Sequence, residues 1–173
     1  MALRDVLAYP DPRLREKARP VTVFDEALKT LARDLAETMY AEPGIGLAAT
    51  QIGVAQRVIT IDVREEQGQP GELLKLVNPG IIESEGEIVG EEGCLSVPGI
   101  REDVKRAEKV KVRAQDLDGR ELFFDAEGML AVVFQHEIDH LDGMLFIDRL
   151  SPLKRSSIKK RLRREAEQAA NNG

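Results

Sequence analysis

The chain has 173 residues, a net charge of −6, and 42% hydrophobic against 32% charged residues. That suffices for one compact domain with a substantial core, and is too mixed in polarity for a disordered tail. The acidic balance argues against DNA binding, and with no apolar run long enough to cross a bilayer no membrane partner is expected.

In chain order, Met1-Ala2-Leu3-Arg4-Asp5 carries neither an apolar signal core nor an Arg/Ser-rich transit pattern, so a cytoplasmic location is expected. Asp25 is a candidate N-cap for a helix whose stripe of Leu28, Leu31, Leu35 and Met39 stops at Pro43-Gly44. Gly44 to Gly53 suggests a loop held against the body. Strands follow at Arg57–Val63 and Leu73–Val77, separated by a polar turn over Arg64–Gly71. Shorter β segments are expected at Ile81-Ile82, Ile88-Val89, Val110–Arg113 and Glu121–Phe124, with Asp118-Gly119 turning between the last two. From Glu127 to Leu141 the period becomes helical, and Met129–Phe134 is too apolar for a surface helix. Gly143 supplies a left-handed stop. After Ser151-Pro152 a charged helix runs to about Gln168, and Ala169–Gly173 should fray. The expected fold is α+β, with antiparallel β-sheets packed around a buried central helix and helices at both ends. Residues 1–150 form the expected catalytic domain, and 151–173 a basic helix packed on it or extending from it.

The buried helix carries His136-Glu137-Ile138-Asp139-His140, and these are the only two histidines. Residues i and i+4 share a helix face, so both imidazoles reach one ion while Glu137 lies on the flank as a general base. A catalytic site of this kind wants a third protein ligand. Cys94, Asp139, Asp142 or one of the glutamates can supply it, and a thiolate suits a transition metal best. Cys94 is the only cysteine, so an intrachain disulfide is excluded. It sits in Glu91–Ser96, a polar turn unlike core filler.

Gly44-Ile45-Gly46-Leu47-Ala48-Ala49 matches a dinucleotide fingerprint in form, with Asp62 in the place of the ribose-binding acid. The fingerprint must follow a strand, and here it follows a helix, so that reading is rejected. Glycines instead let the main chain lie close to an extended ligand, with the Gln51 amide nearby as an oxyanion donor.

Three segments in this order, Gly44–Gln51, Glu92-Gly93-Cys94-Leu95-Ser96 and Gln135–His140, resemble the peptide deformylase family. The similarity extends over Tyr40–Pro43 and Leu150–Lys154, and so over essentially the whole chain. The resemblance implies Cys94, His136 and His140 as metal ligands and Glu137 as the catalytic carboxylate. Gln51 and the Leu95 N–H would hold a formyl oxygen. Gly44, Ile45, Gly46, Val132 and Val133 would line the substrate groove and methionine pocket, and Arg101, beside the variable Gly99-Ile100, would face the substrate. Arg106 would pair with Glu92 and help fix the Cys94 turn. The implied reaction removes the formyl group from N-formyl-methionyl nascent polypeptides, releasing formate, with one Fe(II) per chain or zinc or nickel in its place. A ferrous thiolate site would be oxidation-prone. Lys154 to Arg164 holds seven basic residues and no acid, and similar C-terminal helices in the family imply ribosome contact.

Overall fold

The computed structural model describes residues 3–63 and 72–172. The polar turn expected over Arg64–Gly71 lies outside them. Asp25 starts helix α1 (Glu26–Ala41), its carboxylate accepting the Leu28 N–H. The stripe of Leu28, Leu31, Leu35 and Met39 is buried. At the far end the Gly44 N–H donates to the Met39 carbonyl, turning the chain into strand β1 (Gly46–Ala48).

β1 opens a five-stranded antiparallel sheet. Its members in spatial order are β1, β2 (Val58–Ile61), β3 (Leu74–Glu85), β6 (Lys109–Gln115) and β7 (Glu121–Glu127). Every residue of β2 is buried, because helices cover both faces. Val58 packs with α1, while Ile59 and Ile61 pack with the central helix α2 (Met129–Leu141). Strands β4 (Ile88–Cys94) and β5 (Val97–Arg106) form a separate antiparallel ribbon. On α2, Ala131, Phe134, Ile138 and Leu141 enter the sheet's core. A 3-10 turn at Phe146–Arg149 then brings the Phe146 ring against His136, 6.2 Å between centroids. The architecture is the α+β arrangement the sequence predicts.

Four local expectations change. Gly44–Gly53 is not all loop, since Gly46–Ala48 pairs with β2 and Ala49–Ile52 forms a 3-10 turn. The segments Leu73–Val77 and Ile81-Ile82 are one strand, because a register shift absorbs Asn78-Pro79-Gly80. Asn78 takes φ 50° there, held by its side chain, which accepts the Val21 N–H and donates to the Val21 carbonyl and Gln115 Oε1. The polar turn expected at Glu91–Ser96 shrinks to Leu95-Ser96, with Cys94 ending β4. Finally, helix α3 (Pro152–Asn172) keeps Ala169–Asn172 helical rather than frayed.

α3 docks through Ile158 and Leu162, which are buried with Val97, Ile100 and Val104 of β5 and with Phe146. α2 stops at Gly143 in the left-handed conformation, φ 77°, as expected. Only glycine fits, since a Cβ there would lie 2.5 Å from the Arg15 carbonyl oxygen. Among the described residues, no helix is long and apolar enough to cross a membrane.

Candidate metal centre

The end of β4 carries Cys94 to the face of α2 that holds both histidines. Cys94 Sγ lies 3.3 Å from His140 Nε2, and the two Nε2 atoms are 3.2 Å apart. All three donor atoms fall within 4.8 Å of one another. A tetrahedral ion bound at about 2.0–2.3 Å would space nitrogen and sulfur donors roughly 3.3–3.6 Å apart. The three side chains therefore fit one transition-metal ion. Of the other candidates, Asp139 is engaged by Arg106 and Arg149, Asp142 by Arg57, and the glutamates beside Cys94 by Arg101 (Glu91) and Arg106 (Glu92).

Burial and neighbouring charges set the two histidines apart. Burial opposes charge on His136, yet its contacts with Cys94 and Glu92 lift its pKa well above the ordinary imidazole value. Burial, and then the His136 charge, push His140 well below it. Glu92 Oε1 lies 2.9 Å from His136 Nδ1. Burial works against ionising Glu92, but bonds from Arg106 and His136 outweigh it and hold its pKa at about 2. Ionised Glu92 can only accept, so Nδ1 carries a hydrogen, and Nε2 faces the cluster, where it would ligate an ion on giving up its own proton.

Arg106 is itself buried, donating through Nε and Nη2 to Glu92 and through Nη1 to Asp139. Truncating it to Ala takes the guanidinium from buried Glu92 and leaves Asp139 with Arg149 alone, which should cost about 3–5 kcal/mol. Since the folded pKa of Glu92 is depressed, its share of that stability is present above pH 4.5 and is lost as pH falls toward about 2. Thermal midpoints of the wild type and Arg106→Ala should therefore converge across that window. A gap independent of pH would contradict the pairing.

Glu137 is only 4% exposed, and its Oε1 has no hydrogen-bond partner among the described residues. Burial, partly offset by His136 and Arg106, raises its pKa to about 7. A Cβ on Gly46 would lie 2.6 Å from Glu137 Oε2, so this glycine makes room for the carboxylate. Gly46→Ala should lower kcat up to about 100-fold by displacing Glu137, with little change in thermal midpoint. Unchanged kcat would show that the carboxylate position is not critical.

Gln51 is buried in the 3-10 turn after β1 and pinned at both ends. Its Oε1 accepts the Ala48 N–H; its Nε2 donates to Ser96 Oγ at 3.0 Å and lies 3.6 Å from Cys94 Sγ. The amide nitrogen therefore faces the cluster. Ser96, which orients it, was not singled out from sequence, because only the β4–β5 turn brings it near.

A cleft of about 850 Å³ opens over these groups. Gly44, Ile45, Gly46, Gln51, Leu95, Arg101, Val132 and Val133 all line it, along with Cys94, His136 and Glu137. His140 is buried at 1% exposure. Ile88, Ile100 and Met129 also line the cleft; in sequence they are indistinguishable from ordinary apolar positions. Arg101 pairs with Glu91 at the exposed mouth. Just before β1 the Ile45 carbonyl accepts the Asp62 N–H, so the alternation of the antiparallel ladder turns the Gly46 N–H and C=O away from β2. A strand edge thus borders the cleft.

The family model for polypeptide deformylase matches residues 3–156. The chain belongs to this family. A peptide deformylase of Alkalilimnicola ehrlichii is 55% identical over all of this chain and 94% of its own length. The crystal structure of the Legionella pneumophila deformylase superposes with a TM-score of 0.87 at 48% identity, covering 98% of each chain. That of the Thermus thermophilus enzyme gives 0.87 at 43% identity, covering 99% of this chain and all of the other. The activity is that of a deformylase: metal-dependent hydrolysis of the N-formyl group from the formyl-methionine that begins newly synthesised proteins.

Proposed function

We propose that Cys94, His136 and His140 hold the deformylase metal and that Glu137 moves the protons of the reaction. The observation carrying this is convergence: one thiol and two imidazole nitrogens meet at ligand spacing beside the buried Glu137 carboxylate, one oxygen of which has no hydrogen-bond partner among the described residues. When bound, the ion supplies Lewis acidity, making water a competent nucleophile near neutral pH and favouring negative charge on a carbonyl oxygen. Glu137, with its pKa raised to about 7, is matched to both halves of a proton shuttle. It takes the proton of water as the C–O bond forms at the formyl carbon. The resulting oxyanion is met by the Gln51 amide and the Leu95 N–H. Glu137 then returns the proton to the amine nitrogen as the C–N bond breaks, and formate leaves.

The groove in this reading spans Gly44, Ile45 and Gly46, whose free strand edge pairs the substrate backbone. Val132 and Val133 on the first turns of α2 line the pocket for the methionine side chain. Arg101 meets the substrate beyond it. The metal is one Fe(II) per chain, with zinc or nickel accepted by the same donors. The work takes place in the cytoplasm, where formylated nascent chains arise. Formyl-Met-Ala tests the reading: formate should appear while Met-Ala stays whole. Cleavage of the Met–Ala bond would instead mark an endopeptidase.

Residues 1–150 carry this chemistry, and 151–173 add a helix we assign to ribosome contact through Lys154–Arg164. Several of its basic groups are already engaged: Lys154 with Glu102, Lys159 with Asp148, Arg161 with Glu165, and Arg163 over the Tyr9 ring. Lys160 and Arg164 form no ion pair among the described residues, which makes them the best contacts for phosphate. Ribosome binding should weaken steeply with salt and fall on Lys160→Ala/Arg164→Ala; salt-insensitive binding would exclude the assignment.

A further inference from the structure

Asp139 lies between the two metal-binding histidines on α2, yet points at arginines rather than at the cluster. Its Oδ2 accepts from Arg106 Nη1 and from Arg149 Nε, each at 2.7 Å, and its Oδ1 accepts from Arg149 Nη2 at 2.8 Å. Arg106 in turn grips Glu92 with two nitrogens at 2.9 Å, and Glu92 accepts from His136. Arg149 thus begins an unbroken chain of alternating charge that ends on His136.

Charge balance explains why the chain needs its outer member. With His136 neutral, as a metal ligand must be, the buried Glu92, Arg106 and Asp139 alone leave one negative charge in excess. Two carboxylates then compete for a single guanidinium. Arg149, whose side chain remains 38% exposed, brings the set to neutrality and occupies both Asp139 oxygens. Arg106 is left free to hold Glu92 with a two-nitrogen grip, which fixes the acceptor for His136 Nδ1–H. A second contact comes from the same turn: Phe146, at its other end, stacks against the His136 ring.

We propose that Arg149 is a positioning residue for His136, acting through Asp139, Arg106 and Glu92 to hold Nε2 in its ligating direction. This rests on the assignment of His136 as a metal ligand. It makes the turn between α2 and α3 part of the metal site's support, although no atom of Arg149 reaches the cluster.

Nickel-loaded full-length protein provides the test, read as the rate of nickel loss to excess EDTA. Arg149→Met should release nickel about 10-fold faster, with KM for formyl-Met-Ala unchanged. Asp139→Asn, which cuts the chain on its other side, should do the same, and Arg149→Lys should restore part of the retention. Arg57→Met serves as the control, because it severs another ion pair at the end of α2, with Asp142, outside this chain. It should lose nickel at the wild-type rate. Wild-type retention in Arg149→Met, or equal acceleration in Arg57→Met, would overturn the proposal. A Cys94→Ala variant that keeps nickel as well as wild type would overturn the ligand assignment as well. Normal dependence on Cys94 with no dependence on Arg149 would sink this inference alone.

Discussion

Glu137→Gln should fold, bind metal as wild type does, and lose turnover by about 10²–10⁴. The amide keeps the size of the carboxylate, so the contact with Gly46 is preserved. It cannot accept a proton from water or return one to an amine. The same substitution should stabilise the fold above neutral pH. A carboxyl whose folded pKa is raised from 4.5 to about 7 imposes no penalty below 4.5, a growing one as pH rises, and the full one above 7. The comparison of midpoints is made on metal-free protein, where this penalty applies. The thermal midpoint of Glu137→Gln should therefore gain on wild type between pH 5 and 8. A variant that retained turnover, or that lost stability relative to wild type over this range, would contradict the role given to the buried carboxylate.

Cys94→Ala should separate the metal from the proton shuttle. Removing the thiolate leaves two imidazoles, and affinity should fall by roughly 10²–10³ if the ~10–16 kcal/mol of a four-ligand site is shared about evenly. The fold should survive, because Cys94 is half-buried at the end of a two-stranded ribbon. Turnover should disappear and be partly recovered by saturating metal, whereas added metal should do nothing for Glu137→Gln. Wild-type metal content in Cys94→Ala would place the third ligand elsewhere.

Much of this site was legible because its chemistry is local in the sequence. His136, Glu137 and His140 share one helical turn, and the period of Met129–Phe134 shows that the helix is buried. Cys94 follows only from chemistry and family resemblance, since its strand is obscured. β4 is rich in glycine and glutamate, and β5 opens with Val97-Pro98-Gly99, which reads as a break. A two-stranded ribbon tolerates that proline because each strand keeps an unpaired edge. β1 was hidden by Gly44 and Gly46 for a similar reason, as an edge strand of three residues has too little pattern to recognise. The arginine chain was the least visible. Arg106 lies 33 residues from Asp139 in sequence, and only the fold shows that a motif aspartate is held by arginines instead of metal.

The central claim is that one ion sits among Cys94, His136 and His140 and that formyl hydrolysis depends on it. It is tested most directly by measuring metal content and formate release from formyl-Met-Ala on the same anaerobically purified sample, before and after chelation. One transition-metal ion per chain is predicted, with formate release falling in step with metal removed and returning when Fe(II) is restored. Full formate release from chelated protein holding no metal would contradict the account.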